Sequence, residues 1–115
     1  MYSSTFIFAK KQYDDAFYRL DQMIAEIAKE IPGYLGEETW ENAGTGLISN
    51  VYYWDSMEAL QQLVTHPRHL EAKAKQGNWL AGYQVVISEV LRTYGDGGLS
   101  ALPTAGILNQ QAPER

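Results

Sequence analysis

Both histidines of the chain, His66 and His69, stand three residues apart, shortly after an aromatic run that ends at Trp54. His69 is the best candidate for chemistry, because an imidazole titrates near neutral pH and can act as a general base. Upstream, Asn50, Tyr52 and Trp54 recur at period two. On a strand such residues share one face. Together they offer hydrogen-bond donors and a flat aromatic wall, the elements of a small-molecule pocket. Trp40, on the segment expected to pair with theirs, and Tyr83, at the start of the last apolar run, are candidates to complete that wall. The competing reading makes Tyr52, Trp54 and Trp40 packing residues of a sheet and a subunit interface, where aromatic side chains concentrate. His66 precedes Pro67, so its ring can simply cap backbone N–H groups. His69 can face a pocket or bond a backbone carbonyl.

Other chemistries lack their residues. A spacing of three suits one helix face, but the helix restarts at Pro67 and no third ligand is evident, so no metal site is expected. With no cysteine, disulfides, thiolate ligands and a thiol nucleophile are absent. There is no GxSxG elbow, P-loop or GxGxxG. Gly95-Asp96-Gly97-Gly98 opens no helix and is not read as a phosphate cradle. Glu37, Glu38 and Glu41 read as a solvated strand edge, and Lys73 and Lys75 as solvated helix residues. No cofactor is expected.

The elements that must position these residues follow from pattern. Thr5–Lys10 reads as a first strand, bounded by Lys11-Gln12. A helix over Asp14–Ile31, capped by Asp14 or Asp15, carries Phe17, Leu20, Ile24, Ile27 and Ile31 on one stripe and stops at Pro32-Gly33. Tyr34–Asn42 and Leu47–Trp54 flank a short glycine turn and should form an antiparallel hairpin. Asp55, with Glu58 three residues on, suggests a capping box for the next helix, whose buried side is Leu60, Leu63 and Val64. His66-Pro67 marks a kink or a short further helix to about Gln76, stopped by Gly77. Gly82–Tyr94 reads as a last, long strand.

The order β-α-β-β-α-β is the ferredoxin-like α+β layout, a four-stranded antiparallel sheet with two helices on one face. It occupies residues 1–95. Residues 96–115 form a glycine- and proline-rich tail, with a partner subunit as one place for it to pack. The other sheet face carries large apolar side chains that need cover, which points to a homodimer.

The 115 residues, 45% hydrophobic and 20% charged, suit one domain with a real core. A net charge of −5 argues against nucleic acid and against an anionic membrane surface. The apolar run in the first residues is too short for a signal peptide, and no run spans a bilayer. A soluble cytoplasmic protein is the expectation.

The string Tyr53-Trp54-Asp55-Ser56-Met57-Glu58-Ala59-Leu60 resembles the strand-into-helix signature of the antibiotic biosynthesis monooxygenase family. So do His66-Pro67-Arg68-His69 and the aromatic start of the last strand at Tyr83. The resemblance spans about Ser4 to Tyr94 and implies a dimeric α+β barrel, in which two such sheets close face to face. Some members are cofactor-independent monooxygenases that oxidise phenols or quinols to quinones; others degrade haem, and others isomerise or bind small molecules. For a cofactor-free oxygenase, His69 would deprotonate an electron-rich substrate, and Asn50, Tyr52, Trp54, Trp40 and Tyr83 would line its pocket. The alternative is a non-enzymatic dimer that binds a small ligand or serves in stress. The haem-degrading set is not matched: the first strand has no asparagine, and Leu63 and Lys73 stand where its tryptophan and histidine would be.

Overall fold

The computed structural model describes residues 1–11, 13–105 and 109–111. Gln12, expected to help end the first strand, and the rest of the expected tail lie outside them. Four strands, β1 (Tyr2–Lys10), β2 (Tyr34–Glu41), β3 (Leu47–Trp54) and β4 (Leu80–Glu89), form one antiparallel sheet in the order β2-β3-β1-β4. Helix α1 (Asp15–Glu30) follows β1, and α2 (Met57–Val64) and α3 (Pro67–Lys75) follow β3. This is the ferredoxin-like α+β arrangement, with the expected second helix split in two.

The split has a local cause. Thr65 and His66 close α2, and Pro67 opens α3 with φ preset for a first turn. His66 Nδ1 accepts from the Arg68 N–H at 3.1 Å, so this ring is a helix cap. Ser56, not Asp55, caps α2, its hydroxyl accepting from the Ala59 N–H at 3.1 Å. Asp55 instead donates its backbone N–H to the Gly33 carbonyl at 2.8 Å, one step too early to cap the helix. Gly33 has φ +104°, and a side chain there would meet Ala59 Cβ at 2.8 Å, so glycine is required where α1 turns into β2. Gly77 does not stop α3 in left-handed geometry; it sits in a 3-10 turn over Gln76–Asn78.

All three helices cover one sheet face. Ala28, Trp54, Ala59, Leu60 and Leu63 make one buried cluster, with Ile24, Ile27 and Ile31 of α1 packed on it. Phe8, Leu20, Trp79 and Leu80 make a second, completed by Phe17 and Ala72. The predicted α1 stripe is thus core throughout. The last strand begins and ends earlier than its sequence suggested. Beyond Glu89 the chain leaves the sheet, and Thr93–Gly95 (β5) pairs in parallel with Asn109–Gln111 (β6). Between them Pro103 lies against Gly36 of β2: a Cβ added at Gly36 would stand 2.5 Å from Pro103 Cβ. Among the described residues, no helix is long and apolar enough to cross a membrane.

Candidate functional site

Register assigns every strand residue to a face. Tyr2, Phe6 and Phe8 of β1 pair with Trp54, Asn50 and Ile48 of β3. These face the helices, since Trp54, Phe8 and Ile48 belong to the helix-packed clusters. Alternation therefore places Asn50, Tyr52 and Trp54 together on the inner face. Tyr83 is on the same face, opposite Phe8 and stacked on Phe6 at 5.4 Å, but two strands from Tyr52.

Trp40 does not join that wall. It pairs with Ser49 and points to the outer face, where it is 56% exposed. The cause is an irregularity in β2. Tyr34 pairs with Trp54, yet Gly36 pairs with the next residue back, Tyr53, leaving Leu35 as an extra residue. A bulge of one residue reverses the facing of everything after it. Tyr34 and Glu37 thereby share the inner face, and Trp40 is turned outward.

The same bulge builds a polar corner that the sequence concealed. The Tyr34 hydroxyl donates to Glu37 Oε1 at 3.1 Å. Tyr52 also hydrogen-bonds Glu37, and burial first, then the Glu37 charge, raises its phenol far above the ordinary range. The Tyr34 phenol is pushed up to about 12 by burial and by Glu37. Asp21, on the inner stripe of α1 one turn after Phe17, also bears on Tyr52. Its own carboxyl is drawn up, first by burial and then by Glu37. Asp21 is nonetheless exposed by surface area, so solvent screens this pair and the push is modest. Glu37 is therefore no part of a solvated edge: it is the acceptor that fixes two tyrosines.

These bonds decide what the wall can donate. Tyr52 is committed to Glu37. Trp54 is fully buried and its indole N–H donates to Ser4 Oγ at 3.1 Å. Asn50 Oδ1 accepts from Thr39 Oγ1 at 2.9 Å, which leaves the amide NH2 as the available donor. Tyr52 and Trp54 are stacked, with ring centres 6.1 Å apart and planes 19° apart, and Trp54 is spent in the core.

His69 lies three residues before Ala72, on the inward side of α3. One ring nitrogen is bonded to the backbone of Val64, a bond that favours the protonated ring and so runs from imidazole N–H to carbonyl. That carbonyl is one of those left open at the end of α2. Nδ1 is buried and has no partner. The donor is then Nε2–H, and Nδ1 carries a lone pair. Burial, more than the nearby Lys73 and His66, holds the imidazole below its ordinary value. Burial thus favours the neutral ring. Of the two options for His69, the bond to a backbone carbonyl is the one present, and the other ring nitrogen is buried without a partner.

Two surface depressions lie elsewhere. One of about 420 Å3 is on the outer sheet face beside Trp40, Ile7 and Ser49. The other, about 190 Å3, runs between α1 and α3. Neither is lined by His69, Asn50 or Tyr52. No group of three or more metal-ligating side chains occurs among the described residues.

No family model matches the chain. Over 93 residues it is 32% identical to the uncharacterised Bacillus subtilis (strain 168) protein YqjZ, covering 79% of this chain and 80% of that protein. Its fold is that of SnoaB, a cofactor-independent oxygenase from Streptomyces nogalater. The two superpose with a TM-score of 0.65 at 12% identity, over 80% of this chain and 94% of SnoaB. A solved antibiotic biosynthesis monooxygenase superposes with a TM-score of 0.63 at 14% identity, over 79% of this chain and 99% of the other.

Proposed function

The chain belongs to the family of Bacillus subtilis YqjZ and has the fold of the antibiotic biosynthesis monooxygenases, and from that premise we propose that it is a cofactor-independent monooxygenase of small phenolic or quinol-like metabolites. The observation that carries this reading is His69: a neutral imidazole, its tautomer fixed by Val64, with a buried unpartnered Nδ1. Such a group is a general base awaiting a proton.

In the proposed reaction His69 Nδ1 takes the phenol proton. The phenolate gives one electron to O2, and the resulting radical pair combines at the para ring carbon. The Asn50 amide NH2 donates to the negative charge that develops on oxygen, in a site shielded from water. His69 returns its proton to the peroxide. The O–O bond then breaks as the para carbon loses its hydrogen, giving a quinone and one water. One oxygen atom enters the product, the other leaves in water, and the substrate supplies all the electrons. Tyr52, held by Glu37 and backed by the buried Trp54, is the flat wall for the ring. Tyr83 edges the same face further along. Two copies closed over the outer sheet faces would bury Trp40 and leave this inner site intact.

A panel of phenols and hydroquinones, monitored with an oxygen electrode in the absence of added metal or flavin, tests the proposal. Substrate-dependent uptake with matching quinone formation is expected; no uptake across the panel refutes it. A second reading, a non-enzymatic small-ligand protein, is favoured by the placement of both surface depressions away from His69. It predicts ligand binding that His69→Ala leaves unchanged, together with no oxygen uptake.

A further inference from the structure

We propose that the groove between α1 and α3 binds a small organic anion with a flat apolar body, of the size of an arylcarboxylate. This site is separate from His69 and the inner sheet face, and does not depend on the oxygenase reading. Its rim holds Arg19 of α1 and Arg68 and Lys75 of α3. The whole chain has nine lysines and arginines and a net charge of −5, so three cations on one groove are a local reversal of its charge. Glu71 is the one acid in the lining. It is already engaged, by Arg68 at 3.3 Å and by Lys75 at 3.3 Å. Those two cations hold its carboxyl below the usual range. Three cations face one carboxylate, a surplus of two positive charges, and Arg19 has no ion pair among the described residues.

The floor is of a different character. Leu20 and Trp79 are buried there, 8% and 5% exposed, and Met23 lies beside them at 36%. A bare inorganic anion would satisfy the rim and leave the exposed part of this floor, chiefly Met23, wet. A carboxylate carrying a ring would satisfy both, the ring displacing water from the floor and the head meeting the guanidinium groups. The groove's volume of about 190 Å3 slightly exceeds the roughly 150 Å3 that accommodates one benzene ring. The groove lies in the helix layer, so a second copy seated on the outer sheet face leaves it open.

Trp79 gives the site its own reporter. Its indole N–H donates to Asp14 Oδ1 at 3.1 Å, and its carbonyl accepts from the Lys11 N–H at 2.9 Å, tying the floor to the start of α1. The full chain, labelled with nitrogen-15, is titrated with benzoate and, in parallel, with benzyl alcohol. The three indole signals are assigned by Trp40→Phe and by the contact of Trp79 with Phe17, whose rings lie 5.4 Å apart. Benzoate should shift the Trp79 signal saturably at millimolar concentration and leave Trp40 and Trp54 unmoved, while benzyl alcohol leaves all three in place. The exposed double variant Arg19→Gln/Arg68→Gln should weaken benzoate by about fivefold or more. No saturable shift, an equal shift with the alcohol, or undiminished affinity in the double variant would overturn the proposal. None of these results bears on oxygen uptake, so the two readings stand or fall separately.

Discussion

Replacing His69 by glutamine should remove a pH dependence of stability that the wild-type protein carries. In the unfolded chain the imidazole titrates near 6.5, whereas in the fold burial depresses it. Between those two values the unfolded chain holds up to one proton more than the folded one. Stability therefore rises with pH across that window. The contribution is fully present above about 6.5 and is lost as pH falls toward the folded value. For one group the slope cannot exceed about 1.4 kcal/mol per pH unit. Glutamine does not titrate, so its curve lacks this component. Asp21, whose carboxyl is raised, contributes with the opposite sign: its share of stability is greatest at low pH and falls as pH rises. It is common to both proteins and cancels in their difference. Urea unfolding of the two proteins at steps from pH 8 to 5 gives the difference directly. It should be flat above about pH 7 and fall below 6.5, with a slope that stays under about 1.4 kcal/mol per pH unit. Because burial outweighs the Lys73 and His66 charges, added salt should change the slope little. Parallel curves would show that Nδ1 is hydrated, and the neutral-base argument would fail. A long-range proton–nitrogen spectrum showing the Nδ1–H tautomer would refute it as well.

Other perturbations separate the two sheet faces and the strap near β2. Asn50→Ala removes the uncommitted amide donor beside Tyr52; kcat should fall by about 100-fold, as for an oxyanion donor, with circular dichroism unchanged. Trp40→Ala should leave kcat within about twofold, since Trp40 is on the other face, but should weaken self-association measured by light scattering; a monomeric wild-type protein at micromolar concentration would contradict the dimer. Gly36→Ala, at φ +143° and against Pro103, should cost about 1–3 kcal/mol in urea unfolding. In combination with Pro103→Gly only the contact part should be recovered, leaving the backbone part; full recovery would mean that the backbone at Gly36 is unstrained.

Much of the fold was legible because its signals are local. The α1 stripe, the Ser-Asp-rich helix starts, the glycine turn before Leu47 and the restart at Pro67 each act within a few residues. β3 begins and ends where its apolar run does. Asp55 and Ser56 are adjacent polar residues that can both cap, and only the bond to Gly33 excludes Asp55. The candidate site was half legible. Period two placed Asn50, Tyr52 and Trp54 on one face, and their strand is regular. Strand pairing alone does not give the facing of Trp40 or Glu37, because a bulge at Leu35 is a register event between two strands and leaves no trace in the spacing of one. A smaller signal was present: glycine inside a strand often marks such a bulge, and Gly36 follows Leu35 directly. Asp21 was visible as a polar residue within an apolar stripe, but its proximity to Glu37 depends on that same bulge. Whether His69 is protonated at Nδ1 or Nε2 depends on a carbonyl exposed by the break between α2 and α3, a tertiary detail.

His69 is the proposed base of an oxygenation that needs no cofactor. Oxygen uptake by wild-type and His69→Ala proteins, with the best phenolic substrate and with and without added imidazole, addresses it most directly. The wild-type protein should consume one O2 per quinone formed, the variant should fall by about 100-fold or more, and imidazole should restore part of the loss. Undiminished turnover in the variant would contradict the account.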